Sequence, residues 1–234
     1  MPKVFTEWTV LPHQPIEKVS DNLWRVSGKL GEIQRQMVLA RMRDGRIVVN
    51  NAIALDAAEM AELEAWGEPA VLIVPNAFHR QDSVIWKQRY PRSIVAAPPG
   101  GRKRIAKLVP VDVDASSADA PHDDTVRVIP MDGCAADVLL EVRSADGVTL
   151  VFCDAILNVP RRTGVMGFML APTGQVSAPR LLRWLWIKDK RAFAAHLERL
   201  AETPDLRRLM FGHGEPITDD APGALRRVAA QVRG

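Results

Sequence analysis

Apolar positions along this chain change their spacing several times, and each change predicts a new element of secondary structure. Residues 37–42 and 46–50 are apolar runs on either side of Asp44-Gly45, a dipeptide typical of tight β-hairpin turns. Residues 55–66 then have apolar side chains at intervals of three and four, which predicts a helix. The first part of the chain therefore predicts a β-meander that leads into a helix.

Continuous apolar runs further along the chain predict strands that helices bury on both faces. The predicted strands cover residues 70–74, 93–97, 125–129, 137–142, 148–154 and 209–211, and the predicted helices cover residues 83–90, 178–200 and 222–232. The sequence contains neither regular βαβ alternation nor a repeat. We therefore predict a single domain over residues 1–234 of α/β (α+β) class, with sheets inside and helices outside.

Composition and charge narrow the classes of protein to which the chain can belong. With 47% hydrophobic and 25% charged residues, the composition is that of an ordinary globular protein. The sequence has no run of about 18 apolar residues and no secretory pattern at its start, so we expect no membrane partner. Only two cysteines are present, which favours a reduced, cytoplasmic setting. The basic run 102–104 precedes an acidic stretch, a pattern typical of solvated surface, so we expect no nucleic-acid partner.

Four predicted strands end in polar residues, at the sheet edge where the sites of α/β proteins collect. Asn51 follows the hairpin, residues 76–82 follow the next strand, Asp154 ends a later strand, and His213 lies between two glycines after the last one. An Asp or His directly after a buried strand is costly unless it is paired, liganded or hydrated. We therefore expect these residues to form the functional site.

The order of these features resembles that of the metallo-β-lactamase superfamily, and the resemblance extends over nearly the whole chain. It rests on residues 21–26, the Asp44-Gly45 hairpin, residues 73–79, residues 148–154 and the sequence Gly212-His213-Gly214-Glu215-Pro216. The resemblance implies a four-layer αββα sandwich with the site along one sheet edge.

The metal-binding motif departs from the superfamily's pattern. The superfamily has His-x-His-x-Asp-His after this strand, which supplies ligands for two zinc ions, whereas Asn76 and Phe78 stand at the first two histidine positions here. A carboxamide is a poor zinc ligand, and a phenyl ring is none. A later histidine position falls within residues 130–134, which offer Asp132 or Cys134 instead. An ordinary dinuclear zinc site is therefore not expected.

Two ligands of the superfamily's pattern remain, because Asp154 matches the bridging aspartate and His213 matches the last histidine. His79 and Asp82 could add ligands out of register. In one interpretation these four residues hold a single zinc or iron ion with an open position for water. In the other they form a metal-free polar network, and no cofactor is bound.

The stretch around His79 also supplies candidate catalytic and substrate-binding residues. His79 is a candidate general base, and the His-x-x-Asp spacing could pair it with Asp82 in a metal-free reaction. Arg80 could hold an anionic substrate through two hydrogen bonds, or pair with a local acid. Asn76 and Cys134 stand at ligand positions and are candidates for contact with substrate. Cys134 is alternatively a small buried apolar side chain.

Two functions of different classes therefore remain open. The first is a mononuclear-metal hydrolase that acts on an ester, thioester or phosphoester bond of a small-molecule substrate. The second is a non-catalytic, metal-free protein that binds a small molecule or a partner. Trp184 and Trp186 indicate either internal packing or a homodimer interface, and the long loop 161–179 could cover the site or contribute to that interface.

Overall fold

The computed structural model describes residues 3–30 and 33–234. The strands are β1 (Glu17–Ser20), β2 (Leu23–Leu30), β3 (Ile33–Arg41), β4 (Arg46–Asn50), β5 (Glu68–Ile73), β6 (Ile94–Ala97), β7 (Val113–Asp114), β8 (Val126–Ile129), β9 (Leu139–Ser144), β10 (Gly147–Phe152) and β11 (Leu206–Met210). The helices are α1 (Ala57–Trp66), α2 (Ser83–Arg89), α3 (Pro99–Ile105), α4 (Gly164–Leu170), α5 (Arg180–Leu185), α6 (Lys190–Leu200) and α7 (Ala221–Arg233). Within this described part of the chain, no helix combines the length and the hydropathy needed to cross a membrane.

The predicted hairpin and the helix after it are both confirmed. Gly45 joins β3 to β4 with a φ of +87°, a conformation that glycine adopts without steric strain. Helix α1 begins after Asp56, whose carboxylate accepts a hydrogen bond of 2.9 Å from the backbone N–H of Glu59. That bond satisfies one of the free N–H groups of the first turn. The local sequence signals are thus sufficient to determine these elements.

Two sheets pack face to face and carry helices on their outer faces. Strands β1 to β7 form one sheet in chain order, and the other has the order β11-β10-β9-β8. Apolar side chains from both sheets fill the space between them, including Val38, Val71, Leu140 and Val151. Outside, α1 and α2 cover the larger sheet, and α6 and α7 cover the smaller one. The predicted four-layer αββα arrangement is confirmed.

The strand directions bring the polar strand ends together at one edge of the sandwich. Strands β4, β5 and β6 run parallel to one another, and β10 runs parallel to β11. A backbone hydrogen bond of 3.0 Å from Gln36 N to Gly212 O joins the two sheets at this edge. The carboxyl ends of β4, β5, β10 and β11 therefore meet there.

The helices of the structure differ from the predicted ones in three segments. Helix α3 occupies a Pro- and Gly-rich stretch that is not among the predicted helices, and Pro99 suits its first helical position. A Cβ at Gly100 would lie 2.8 Å from Ala135 O, so this packing depends on glycine. Helix α4 lies within the predicted loop 161–179. The predicted helix 178–200 is interrupted between α5 and α6, where Asp189 caps α6 by accepting from two backbone N–H groups.

We expect an acid-dependent loss of stability at the turn before β10. The Asp146 carboxylate accepts hydrogen bonds from both terminal nitrogens of Arg208, at 2.5 and 2.8 Å, and from the Ser20 hydroxyl at 2.7 Å. These bonds, that of Arg208 above all, hold the pKa of Asp146 well below its usual value of 3.8. Because the carboxylate is half exposed, its contribution to stability is about 1 kcal/mol.

This contribution has a defined pH window. A carboxyl whose pKa is lower in the folded state stabilises the fold above its unfolded pKa and loses that effect as pH falls through the folded pKa. We therefore expect Asp146→Asn to lower the free energy of unfolding at pH 7, and the difference from the parent to shrink below about pH 4. Urea unfolding across pH measures this, with Asp119→Asn, an exposed site, as control. A difference that is constant down to pH 2 would contradict the prediction.

Candidate metal centre

His79, Asp154 and His213 converge at the polar edge of the sandwich. The Nε2 atom of His79 lies 3.1 Å from Oδ2 of Asp154, and Nε2 of His213 lies 3.2 Å from Oδ1 of the same carboxylate. The two Nε2 atoms are 3.2 Å apart. Among the residues that the structure describes, these three form the one group arranged to offer ligand atoms to a common metal ion. Three of the four predicted ligands are thus brought together.

Each imidazole ring is fixed by a carbonyl oxygen at its other nitrogen. Nδ1 of His213 lies 2.5 Å from the backbone carbonyl oxygen of Gln34, which can only accept. Nδ1 of His79 lies 2.9 Å from the side-chain oxygen of Asn51, whose amide nitrogen donates to Gln36 O. Both Nδ1 atoms must therefore carry a proton, which leaves the Nε2 atoms to face Asp154. Hydrogen bonds of this kind orient the histidine ligands of metal sites.

Asn51 reaches His79 because its backbone is in the left-handed region, with a φ of 59°. Asparagine tolerates this conformation better than most residues, since its short polar side chain can bond locally. The same side chain bonds both to β3 and to His79. Asn51 therefore connects the end of β4 to the cluster.

Asn76 supports the carboxylate rather than facing a substrate. It is fully buried, and its amide nitrogen donates to Oδ2 of Asp154 over 3.0 Å. Its side-chain oxygen accepts from the backbone N–H of Phe78 over 2.8 Å. The amide of Asn76 thus donates to Asp154 at the first of the two motif positions. At the second position, the exposed Phe78 ring stacks on Trp186 with centroids 5.8 Å apart.

Asp137 is a second buried carboxylate next to Asp154. Its oxygens accept from the backbone N–H groups of Asp154 and Ala155, both at 2.7 Å, and of Val138 at 3.0 Å. Burial and the neighbouring charge of Asp154 raise the pKa of Asp137 to about 7, against the effect of those N–H donors. The hydrogen bonds fix the backbone at Asp154 and thereby the position of its carboxylate.

The two carboxylates differ because only Asp154 contacts the histidines. Burial alone would raise the pKa of Asp154, but the charge of His79 and hydrogen bonds from His213 and His79 outweigh it and hold that pKa far below its usual value. Burial would lower the pKa of His213, yet its bond to Asp154, the Asp154 charge and the Gln34 carbonyl raise it above 6.5. Asp154 is therefore ionised, and its carboxylate attracts positive charge, either on the imidazoles or on a bound cation.

The arrangement fits a single metal ion. When both rings are neutral, with their protons on Nδ1, the two Nε2 lone pairs and the Asp154 oxygens face one another, which is favourable only around a proton or a cation. In a tetrahedral site with ligand distances of ~2.1 Å, neighbouring ligand atoms lie about 3.4 Å apart. The observed separations of 3.1 to 3.2 Å are close to that value. Two imidazoles and one carboxylate suit zinc or ferrous iron.

Asp82, the fourth predicted ligand, has other partners. Its carboxylate is fully buried, forms an ion pair with Arg35 and accepts from the backbone N–H of Ala54 over 3.1 Å. The ring nitrogens of His79 contact Asn51, Asp154 and His213 instead. The structure thus does not bring His79 and Asp82 together as a catalytic pair, because the charge of Arg35 holds the carboxylate on the larger sheet.

The remaining predicted substrate contacts are also buried. Arg80 donates from Nη1 to the backbone oxygen of Arg104 over 2.9 Å, which holds it against α3. Cys134 packs in the core beneath α6, and burial raises the pKa of its thiol to about 12. Asp132, at the same histidine position, is exposed and forms an ion pair with Arg199.

Sequence reasoning missed the residues that orient the cluster. The sequence predicts Asn51 as one of the polar strand ends but indicates no role for it, and it predicts Asp137 as the first residue of a strand that continues as an apolar run. An acid immediately before a buried strand is the signal that could have identified it. The Gln34 carbonyl gave no signal, since any residue offers the same backbone oxygen.

Comparison with known proteins supports the fold. No protein-family model matches the sequence, and neither does any curated protein. Solved structures similar to this chain include metallo-β-lactamases from Erythrobacter litoralis (TM-score 0.62, 13% identity, covering 92% of this chain and 96% of that one) and from Hirschia baltica (0.57, 13%, 92% and 98%). The DIM-1 metallo-β-lactamase gives a TM-score of 0.63 at 12% identity, covering 95% of this chain and 99% of that one. The chain has the metallo-β-lactamase fold, which confirms the resemblance drawn from its sequence.

Proposed function

We propose that the chain is a hydrolase with a single metal ion, acting on an ester, thioester or phosphoester bond. The observation that carries the proposal is the convergence of His79, Asp154 and His213, each held by partners at its other atoms. A ligand set orientated in advance in this way is typical of metal centres. When bound, a zinc or iron ion supplies Lewis acidity and lowers the pKa of a coordinated water.

The chain's own residues would hold and orient the reacting groups. His79, Asp154 and His213 would bind the ion, and Asp137 and Asn76 would keep the Asp154 carboxylate in place. The exposed ring of Phe78, next to His79 in the chain, offers an apolar contact for the part of the substrate away from the scissile bond. Three ligands leave a position open for substrate or water.

The metal-free alternative has one observation in its favour. Both Asp154 oxygens already have partners, His213 at Oδ1 and both His79 and Asn76 at Oδ2. With protonated imidazoles the cluster would be a closed hydrogen-bond network that stabilises a non-catalytic binding protein. Its weakness is the separation of 3.2 Å between the two Nε2 atoms, because two imidazolium cations at that distance repel each other.

Elemental analysis of protein purified without a metal-affinity tag distinguishes the two functions. We expect close to one zinc or iron per chain, and a fall in the midpoint of thermal unfolding when a chelator removes it. An ion present at a hundred times its dissociation constant stabilises the fold by about 2.7 kcal/mol. Asp154→Asn should lose both the ion and hydrolysis of ester, thioester or phosphoester test substrates.

The metal-free alternative gives the opposite pattern. The purified protein then contains no stoichiometric metal, the chelator leaves its thermal unfolding unchanged, and Asp154→Asn alters stability alone. Zinc or iron added back to such protein would bind only weakly. That combination of results would overturn the proposed hydrolase.

A further inference from the structure

An exposed apolar surface lies on helices α4 and α5, which contact each other. Five large apolar side chains there are 40% to 78% exposed: Val165, Met166, Phe168, Trp184 and Leu185. Contiguous exposed side chains of this kind mark interaction sites, whereas single ones are ordinary. We call this group, together with Arg161, Arg162 and Arg180, the apolar-basic surface.

The chain segment that carries this surface has charge of one sign only. Residues 155–188 contain five Arg or Lys residues and no Asp or Glu: Arg161, Arg162, Arg180, Arg183 and Lys188. The Arg180 guanidinium lies 4.5 Å from the centre of the Phe168 ring, so charge and apolar side chains share one surface. Within residues 3–30 and 33–234, none of the five forms a salt bridge. The surface therefore suits a partner that is both apolar and anionic.

We infer that the apolar-basic surface binds the face of an anionic phospholipid bilayer. Aromatic and aliphatic side chains that enter the acyl boundary, with Arg or Lys beside them for the headgroups, are the features of peripheral membrane attachment. The inference departs from the expectation that the chain has no membrane partner. It concerns attachment to the bilayer face and requires no spanning helix.

A second copy of the chain fits this surface less well. A two-fold contact places the same patch of each copy against the other, so it would gather the arginines of both copies, and residues 155–188 supply no carboxylate to pair with them. A nucleic acid would meet the positive charge but not the aliphatic side chains Val165, Met166 and Leu185. An anionic bilayer satisfies both features.

The surface adjoins the metal centre. Its segment begins directly after Asp154, and Asn158 pairs with Gly214, the neighbour of His213. Trp186, which follows α5, stacks on Phe78 next to His79. Attachment would therefore hold the cluster close to the bilayer face. Because the surface is separate from the ligands, the inference does not depend on a bound metal.

Vesicle flotation with the full chain tests the inference. We expect binding to vesicles of phosphatidylcholine mixed with phosphatidylglycerol, little binding to phosphatidylcholine alone, and weaker binding at high salt. Each Arg or Lys contributes about fivefold to such binding, so Arg161→Gln with Arg162→Gln should weaken it more than tenfold. Phe168→Ser with Trp184→Ser should weaken binding by a similar factor, since it removes apolar area that the bilayer would bury. Circular dichroism checks that these exposed substitutions leave the fold intact.

A matched control separates local contact from net charge. Lys103→Gln with Lys107→Gln removes the same charge from exposed positions elsewhere and should change binding less than twofold. Equal loss in this control, no binding to the mixed vesicles, or equal binding to phosphatidylcholine alone would overturn the inference. Two other results without vesicle binding would also overturn the inference. One is a dimer, seen in sedimentation, that Trp184→Ser dissociates; the other is binding of a single-stranded oligonucleotide.

Discussion

Replacing His213 by alanine is expected to lower the zinc affinity of the protein by at least a hundredfold and to abolish any hydrolysis. The substitution removes one of three converging ligands and leaves Asp154 with His79 and Asn76 alone. Loss of a residue that merely orients a ligand costs 10- to 100-fold in metal affinity, so loss of a ligand must cost more. Competition with a chromophoric chelator measures the affinity directly.

Two further variants make the His213 result interpretable. His122→Ala removes a histidine whose Nδ1 contacts the backbone oxygen of Ala120 in a separate loop, and it should leave zinc affinity unchanged. Asn51→Gly removes the acceptor for His79, and glycine accepts the positive φ without strain. We expect an intermediate loss for Asn51→Gly. Zinc affinity that is the same in all three variants and the parent would disprove the metal centre.

Replacing Arg35 by methionine is expected to destabilise the fold by about 3 to 5 kcal/mol, because it leaves the Asp82 carboxylate buried without its counter-charge. Arg35 is 3% exposed and Asp82 is 1% exposed, and their side chains form an ion pair. Burial already raises the pKa of Asp82 despite the Arg35 charge and the Ala54 N–H donor. A loss of this size is a large share of the ~5 to 15 kcal/mol by which a typical domain is stable.

The double variant Arg35→Met with Asp82→Asn tests that physical cause. The double variant has no buried carboxylate that lacks a counter-charge. Its free energy of unfolding, measured in urea, should therefore recover most of the loss caused by Arg35→Met. The penalty of Arg35→Met alone should also shrink at lower pH, where Asp82 takes up a proton. Arg92→Ala, which breaks an exposed pair with Glu68, should cost less than about 1 kcal/mol. If Arg35→Met costs no more than Arg92→Ala, the ion pair does not stabilise the fold.

The layers of the fold could be predicted because their signals are local. The Asp44-Gly45 turn and the apolar runs of the central strands depend on neighbouring residues alone. The strands predicted from them agree closely with the central strands of the two sheets. Helix α3 could not be predicted in the same way, since its first turn packs against Ala135, more than thirty residues away in the chain. Its Pro- and Gly-rich sequence is equally typical of a turn.

The candidate site could be predicted in part for a related reason. His213 and Asp154 follow strands whose ends must meet at one edge, and this topology brings them together. Residues 76–82 are adjacent in sequence, yet their turn sends the His79 side chain to the cluster and that of Asp82 to Arg35. The spacing of His79 and Asp82 in the sequence does not specify that their side chains point to different partners. The role of Asp137 depends on hydrogen bonds to residues 154 and 155, which only the folded chain brings close.

The two backbone hydrogen bonds between Leu157 and Ser177, both 2.9 Å long, close residues 158–176 into a loop with a fixed base. The entropy of closing such a loop grows slowly with its length, by about 0.6 kcal/mol for each doubling. Insertions or replacements within α4 and its neighbouring residues, away from the Asn158 contact with Gly214, should therefore leave the sheets and the cluster intact. The segment that carries α4 can therefore be exchanged in hybrid proteins without α5 or the cluster, and its sequence can diverge at its own rate in evolution.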